Sequence, residues 1–219
     1  ISDIKVLENV KFEKLEKLYL YSSQISNLSH LEHVDFKELK ELFLFNNQIS
    51  NIDILEKVKF EKLEKLYLNN NKISNIKVLE KVNFKALKEL ILGSNQISDI
   101  NILEDANFKE LESLDLSNNK ISDINIFKKV KFEKLKNLYL SNNQISDINV
   151  LEDSNFKELE SLDLSYNKIS DINIFKKVKY ENLEKLYLNS NQINQDENSS
   201  IITNLQLKIK EFYIKSNLE

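Results

Sequence analysis

Residues 63–86 read LEKLYLNNNKISNIKVLEKVNFKA, and the same framework recurs along most of the 219-residue chain. The fixed positions are L-x-x-L-x-L-x-x-N-x-I-x-x-I-x-x-L-x-x-V-x-F, and the first leucine returns every 24 residues. Seven complete units occupy 15–182, a partial unit precedes them at 1–14, and an eighth unit begins at 183. A fixed period of this length indicates that each unit is one structural element of a stacked solenoid.

The apolar spacing inside one unit predicts a short strand, a turn and a short helical segment. Leu66 and Leu68 flank Tyr67, which is the period of a β-strand with both leucines on one side. Asn71 follows where the chain leaves the strand, so its amide can satisfy backbone groups there. Apolar residues then recur at every third position, at Ile76, Leu79 and Val82. That spacing predicts a 3₁₀ or single helical turn on the opposite side of the coil.

The remaining positions of the unit close the coil. Ser-Asn or Ser-Asp pairs, such as those at 74–75 and 98–99, are residue types that cap a helical turn. Phe84 is expected to fill the wide outer part of the coil. Because one unit has too little apolar surface to offset the entropy of ordering its backbone, its stability should depend on its stacked neighbours.

The composition excludes several classes of site and partner. The chain is 41% hydrophobic and 30% charged, as in globular proteins, and it has no cysteine for disulfides or thiolate metal sites. All 31 basic residues are lysine and the net charge is -4, which argues against a nucleic-acid partner. No apolar run approaches the roughly 18 to 20 residues that would insert into a membrane. With Gly93 as its only glycine, the chain has no glycine-rich phosphate loop, and we predict no cofactor.

The framework L-x-x-L-x-L-x-x-N-x-I is similar to the leucine-rich repeat signature. With Asn-x-Ile-Ser-Asp-Ile at 119–124 and 143–148, it most resembles the internalin-like subclass, although its 24-residue unit is slightly long. Ser23 replaces the turn asparagine in the first full unit, which should weaken that turn. The resemblance implies an α/β horseshoe with a parallel sheet on the concave face and short helical or 3₁₀ turns on the convex face. It also implies that the ligands are usually proteins.

The two ends of the array differ. The framework lapses into a polar loop at 194–200, and apolar residues at Ile202, Leu205 and Leu207 then predict a degenerate last strand. Phe212 and Ile214 are expected to pack over the final coil, so we divide the chain into an array over 1–193 and a last repeat with a cap over 194–219. At the amino end the chain enters in mid-unit, and we expect further repeats or a cap upstream.

The strand residues that do not point inward are the candidate binding residues. The middle residue of each strand, taken in order, is Tyr19, Phe43, Tyr67, Ile91, Asp115, Tyr139, Asp163 and Tyr187. Tyr21 and Phe45 lie two positions after the first two of these, so five aromatic residues should form one exposed cluster on three adjacent strands. Exposed aromatic clusters are typical of protein interfaces. The alternative interpretation is that the rings only stabilise the sheet by stacking across strands.

An internal duplication also singles out the concave face. Residues 107–145 and 155–193 are copies identical at 32 of 39 positions. Four of their seven differences fall among the eight positions predicted to face the concave side, including the change from Asn118 to Tyr166. Exposed outer residues such as Lys128 are retained, so exposure alone does not explain where the copies diverge.

Three other groups could carry chemistry, and we favour a simpler interpretation for each. His30 and His33 have a spacing that could hold part of a metal ion's coordination, but no third soft ligand is evident. Asp115 and Asp163 should lie ~9.6 Å apart, within the range for inverting hydrolysis, yet an open sheet would not raise one pKa over the other. The lysines of 128–131 and 176–179 are expected on a solvated, charge-mixed outer face.

These patterns favour a non-enzymatic module that binds a protein through its concave sheet. The predicted contact residues are Tyr19, Tyr21, Phe43, Phe45, Tyr67, Asp115, Tyr139, Asp163, Tyr166 and Tyr187. The alternative is a structural spacer or a repeat array that self-associates end to end through its open coils. The resemblance allows either a secreted or surface adhesin or a cytoplasmic scaffold, and the sequence does not decide between them.

Overall fold

The computed structural model describes residues 3–178 and 180–214; Ile1 and Lys179 lie outside the described residues. Within these residues nine strands of three residues each form one sheet in chain order. They are β1 (Lys17–Tyr19), β2 (Glu41–Phe43), β3 (Lys65–Tyr67), β4 (Glu89–Ile91), β5 (Ser113–Asp115), β6 (Asn137–Tyr139), β7 (Ser161–Asp163), β8 (Lys185–Tyr187) and β9 (Glu211–Tyr213). Every neighbouring pair is parallel, and from β1 to β8 each residue pairs with the residue 24 positions later, which confirms the predicted solenoid.

The convex side of each coil carries a 3₁₀ helix, as predicted. These helices are Lys5–Asn9, Ser29–His33, Asp53–Glu56, Lys77–Glu80, Asn101–Glu104, Asn125–Lys128, Asn149–Glu152 and Asn173–Lys176. In the predicted Ser-Asn or Ser-Asp pair, it is the Asn or Asp side chain that bonds to the start of the helix. Asn75 Oδ1, for example, accepts a hydrogen bond from the backbone N–H of Lys77 at 2.8 Å. It lies one residue before the N-cap position, and the preceding serine takes no part in this bond. The contact is therefore an Asx turn that leads the chain into the helix.

The framework side chains fill the space between the sheet and the 3₁₀ helices. Leu66, Leu68 and Leu79 are fully buried, and Phe84 is 1% exposed at the outer part of its coil. Equivalent phenylalanines from Phe36 to Phe156 are buried in the same way. On the first described coil the phenylalanine of this row, Phe12, is 43% exposed, and Val6 of the 3₁₀ helix is 61% exposed.

A ladder of asparagines closes the turn that follows each strand. Asn143 shows the pattern: its Oδ1 accepts the N–H of Ile121, while its Nδ2 donates to the carbonyls of Leu116 and Leu140, all at 2.9–3.1 Å. The same bonds recur from Asn47 to Asn191, so each amide ties its own coil to the preceding one. This confirms the role predicted for the framework asparagine.

The first full unit departs from this pattern at Ser23. Its hydroxyl donates to the carbonyl of Tyr21 at 3.0 Å, so the carbonyl of Leu20 receives the usual bond from Asn47 of the next unit but none from its own unit. In this turn Gln24 has a positive φ of 59°, which no equivalent residue shares among the described units. The missing amide thus changes the backbone of this turn.

The carboxyl-terminal segment corrects one sequence prediction. Residues Ser199–Lys208 form an α-helix, α1, so the degenerate strand predicted at Ile202, Leu205 and Leu207 is wrong. Ile202 and Leu205 are buried on one helix face, whereas Leu207 is 84% exposed. The last strand is β9, in which Phe212 pairs with Leu186 after 26 residues instead of 24. Phe212 and Ile214 do pack against the core, as expected.

Among residues 3–178 and 180–214, no helix is long and apolar enough to span a membrane.

Candidate functional site

The concave face is formed by the strand residues that point away from the core. They alternate along each strand with the inward-pointing leucines. The parallel register places the middle-row residues side by side, so Tyr19 lies next to Phe43, and Asp115 next to Tyr139. The structure adds Tyr213 to this row, because β9 pairs Tyr187 with it and their rings stack at 5.3 Å between centroids. Sequence reasoning missed Tyr213, since α1 interrupts the 24-residue period before it.

The five predicted aromatic residues are in mutual contact and form what we call the aromatic platform: Tyr19, Tyr21, Phe43, Phe45 and Tyr67. Tyr19 stacks on Phe43 at 4.8 Å and Tyr21 stacks on Phe45 at 4.6 Å, with rings parallel to within 2° and 6°. Tyr67 meets Phe43 edge to face at 4.8 Å. Tyr19 is 55% exposed and Tyr21 is 46% exposed, so the rings both stack across strands and present aromatic surface to solvent.

Lysine–glutamate pairs flank three tyrosines of the middle row on the concave face, Tyr19, Tyr67 and Tyr187. Lys17 pairs with Glu41 at 3.1 Å, Lys65 with Glu89 at 2.7 Å, and Lys185 with Glu211 at 3.0 Å. The Tyr67 hydroxyl donates to Glu89. The Tyr187 hydroxyl donates to Glu211 at 2.8 Å. These three glutamates are thus neutralised by groups of the chain itself.

The ionisation of these groups follows from their contacts. Burial and the hydrogen bond to Glu89 raise the pKa of Tyr67. Burial and the hydrogen bond to Glu211 raise the pKa of Tyr187 to about 12. Burial works to raise the pKa of Glu89, but the bonds from Lys65 and Tyr67 outweigh it and lower that pKa. The bonds from Lys185 and Tyr187 lower the pKa of Glu211. At neutral pH these two tyrosines are therefore neutral donors and the glutamates are charged acceptors.

The middle of the concave face is polar and carries two aspartates. Asp115 Oδ1 accepts a hydrogen bond from the backbone N–H of Ser117 at 2.8 Å and another from the Ser117 hydroxyl at 2.6 Å. Asp163 Oδ1 accepts the same two groups of Ser165, at 2.9 and 2.6 Å. Tyr139 lies on the strand between the two aspartates. Both carboxylates are therefore held in a fixed orientation on the sheet, two strands apart as predicted.

Tyr166 is an exposed aromatic residue on a strained backbone. Its φ is 54°, in the left-handed region that asparagine and glycine tolerate best, and its side chain is 54% exposed. The equivalent residue of the preceding copy, Asn118, has a φ of 53° and accepts a hydrogen bond from Asn142 at 2.6 Å. The change to tyrosine keeps the strained conformation and removes the side-chain type that suits it. Tyr166 thus exposes an aromatic ring from a backbone position that asparagine suits better.

We expect Tyr166→Asn to raise the free energy of unfolding by about 0.5–1 kcal/mol, because asparagine relieves part of the left-handed strain. The matched control is the reverse change at the equivalent position, Asn118→Tyr, which should lower the free energy of unfolding by a similar amount. Urea unfolding of the two variants measures both effects. A Tyr166→Asn variant less stable than the parent would contradict this account of the strain.

The outer face holds the histidines and the lysine clusters, for which we favoured a solvated, charge-mixed surface over a metal or catalytic site. His30 Nδ1 lies 2.5 Å from Glu8 Oε1, whereas the acids that are near it in sequence, Glu32 and Asp35, pair with lysines. Among the described residues no group of three or more potential metal ligands occurs. Lys129 pairs with Glu104 of the preceding coil at 2.9 Å, in keeping with a charge-mixed face.

A family model described as leucine-rich repeats (2 copies) matches residues 37–81, 85–129 and 133–177, which is more than half of the chain. The chain belongs to the leucine-rich repeat family. This membership confirms the resemblance drawn from the framework residues. No curated protein matches the leucine-rich repeat chain.

Solved leucine-rich repeat structures share the fold. Internalin C2 from Listeria monocytogenes str. 4b F2365 has a TM-score of 0.74 at 26% identity, covering 91% of this chain and 80% of that one. TLR13 in a complex with ssRNA13 has a TM-score of 0.67 at 31% identity, covering 82% of this chain and 25% of that one. The plant peptide hormone receptor RGFR1 in complex with RGF2 has a TM-score of 0.62 at 26% identity, covering 81% of this chain and 28% of that one. The similarity to internalin C2 agrees with the expected internalin-like subclass.

Proposed function

We propose that this leucine-rich repeat chain is a non-enzymatic recognition module that binds a protein partner through its concave face. The observation that carries the proposal is the aromatic platform, whose rings are ordered by stacking and yet remain accessible at Tyr19 and Tyr21. Ordered aromatic side chains lose little conformational entropy on binding, which is why they are frequent interface anchors. The position of Tyr166 and the divergence of the duplicated copies on the same face support it.

Proteins are favoured over nucleic acids as partners of this face. TLR13, one of the structural neighbours, forms a complex with ssRNA13. The lysines of the present concave face at Lys17, Lys65 and Lys185, however, are each paired with a glutamate. Phosphate groups would also meet Asp115 and Asp163. The peptide hormone receptor RGFR1 in complex with RGF2 is a structural neighbour whose partner is a peptide.

The test is to replace Tyr19, Phe43 and Tyr67 with serine. We expect the solenoid to stay folded, because the lost cross-strand contacts are worth about 0.2–1.5 kcal/mol each. Affinity for the partner should fall at least ~30-fold, since one hot-spot aromatic is worth about 2 kcal/mol or more. The measurement is capture of partners from the native source, followed by titration of each variant with circular dichroism as the folding check.

The matched control replaces three outer-face lysines, Lys128, Lys129 and Lys131, with serine and should leave affinity within about twofold. Loss of the partner from the outer-face variant together with its retention by the concave variant would refute the concave site.

End-to-end self-association is the second candidate function, and the apolar side chains on the first coil that the structure describes favour it. Phe12 and Val6 are exposed there, and Leu15 and Leu18 are only partly buried. Sedimentation velocity separates the two candidates: self-association through the ends would persist in the concave serine variant and would respond to Phe12→Ser.

A further inference from the structure

The acidic residues of the concave sheet fall into two classes. Glu41, Glu89 and Glu211 each pair with a lysine of the neighbouring strand. Within residues 3–178 and 180–214, no lysine comes within ion-pair distance of Asp115 or Asp163. Each aspartate uses only Oδ1, with its own serine, so Oδ2 has no protein partner in the described part of the chain. The face is therefore neutralised at both ends and carries unpaired negative charge in the middle.

The only glycine of the chain, Gly93, makes room for one of these carboxylates. Its φ is not positive, so the backbone does not require glycine there. A Cβ atom at this position would lie 2.8 Å from Asp115 Oδ2 and 2.9 Å from Ser117 Oγ, too close for either contact. At the equivalent place beside Asp163 the chain has Ser141. The missing side chain of Gly93 thus leaves a depression in the concave face, and the free oxygen of Asp115 lies in it, next to the Gly93 backbone.

The depression continues the aromatic platform across the strands. Tyr67 on β3 and Asp115 on β5 are two strands apart, or ~9.6 Å at the usual strand spacing, and Asp163 on β7 is ~9.6 Å further. Ile91 on β4 lies between the platform and Asp115 and is apolar. One strip of surface therefore changes from aromatic at Tyr67 to aliphatic at Ile91 to acidic at Asp115, and Tyr139 separates Asp115 from the second aspartate.

From this strip we propose that the concave face binds an extended basic segment of a protein partner. An apolar side chain of the segment sits on the aromatic platform, and lysine or arginine side chains further along it reach Asp115 and Asp163. A single oriented oxygen on each aspartate suits one N–H donor of a cation. The two carboxylates are too far apart to share a metal ion, whose oxygen ligands lie about 2.0–2.6 Å away. This inference rests on the proposed function and specifies the chemistry of the partner.

The test selects random 12-residue peptides, displayed on phage, for binding to the full chain. We expect selected peptides to carry an aromatic or aliphatic residue and, within about three to eight positions of it, lysine or arginine, since an extended chain spans ~3.3 Å per residue. A synthetic copy of the strongest peptide is then titrated against the parent chain and its variants. Asp115→Asn with Asp163→Asn should weaken binding about tenfold and reduce its dependence on salt.

The control is Asp105→Asn with Asp153→Asn, which removes the same charge at the same 48-residue spacing from exposed convex positions. It should change affinity less than about twofold. Gly93→Ala, which displaces the Asp115 carboxylate, should weaken binding several-fold without unfolding the chain.

The outcomes separate this inference from the proposed function. Peptides that depend on the aromatic platform but show no enrichment of basic residues, or that bind the double aspartate variant as well as the parent, would overturn the inference alone. A selection that yields only peptides insensitive to the serine variant of Tyr19, Phe43 and Tyr67, or no binding peptide, would count against both.

Discussion

Replacing Phe108 with alanine should lower the free energy of unfolding by about 3–5 kcal/mol, the usual cost of removing a buried phenylalanine. Phe108 is 1% exposed and fills the outer part of its coil between the neighbouring phenylalanines of the row. The cavity cannot collapse easily, because stacked coils on both sides hold the backbone at a fixed spacing. Urea unfolding followed by circular dichroism measures the change.

The matched control for this variant is the next residue. Lys109 is exposed and makes no ion pair or side-chain hydrogen bond in the described part of the chain, so Lys109→Ala should cost less than about 0.5 kcal/mol. Equal losses from the two variants would show that the phenylalanine row does not contribute to the core as the structure indicates.

Asn143→Ala should cost about 3 kcal/mol or more, although the side chain is small. The substitution leaves the N–H of Ile121 buried without the amide oxygen that now accepts it. The carbonyls of Leu116 and Leu140 each lose one donor but keep the bond from a neighbouring asparagine of the ladder. A buried backbone group left unsatisfied costs about 1–3 kcal/mol, and each of the two lost bonds to the carbonyls adds about 0.5–1.5 kcal/mol. Since the amide ties two coils together, the loss should appear in thermal and urea unfolding alike.

Asn107→Ala is the control for the asparagine ladder. Asn107 is exposed and its side chain makes no hydrogen bond among the described residues, so the expected loss is below about 0.5 kcal/mol. If Asn143→Ala were as mild as this control, water would have to replace the amide, and the ladder would not hold the coils together.

The repeat made most of the fold predictable. The alternation at Leu66 and Leu68 predicted the strands, and the three-residue spacing from Ile76 to Val82 predicted the 3₁₀ helices. Periodicity failed after Asn194, because one short apolar segment fits both a strand and a helix. There α1 formed with Ile202 and Leu205 on its buried face, and the last strand lies further on, at Glu211–Tyr213.

The candidate site was predictable to a similar degree. The sequence placed Tyr19, Phe43 and Tyr67 in one row, and the structure brings their rings into contact. The left-handed backbone of Tyr166 was missed, although asparagine at the equivalent positions, such as Asn118 and Asn142, is the signal that could have indicated it. Whether these residues bind a partner stays a prediction.

The 24-residue period alone determines which side chains enter the core, because a strand that alternates inward and outward residues has one register that buries its leucines. Charge pairing on the concave face could be decided only in three dimensions. Lys65 and Glu89 lie 24 residues apart in sequence and 2.7 Å apart in space, whereas Asp115 faces the depression at Gly93 with no lysine of the described residues beside it. Such contacts depend on ångström-scale distances between neighbouring coils, which exist only after the coils have stacked.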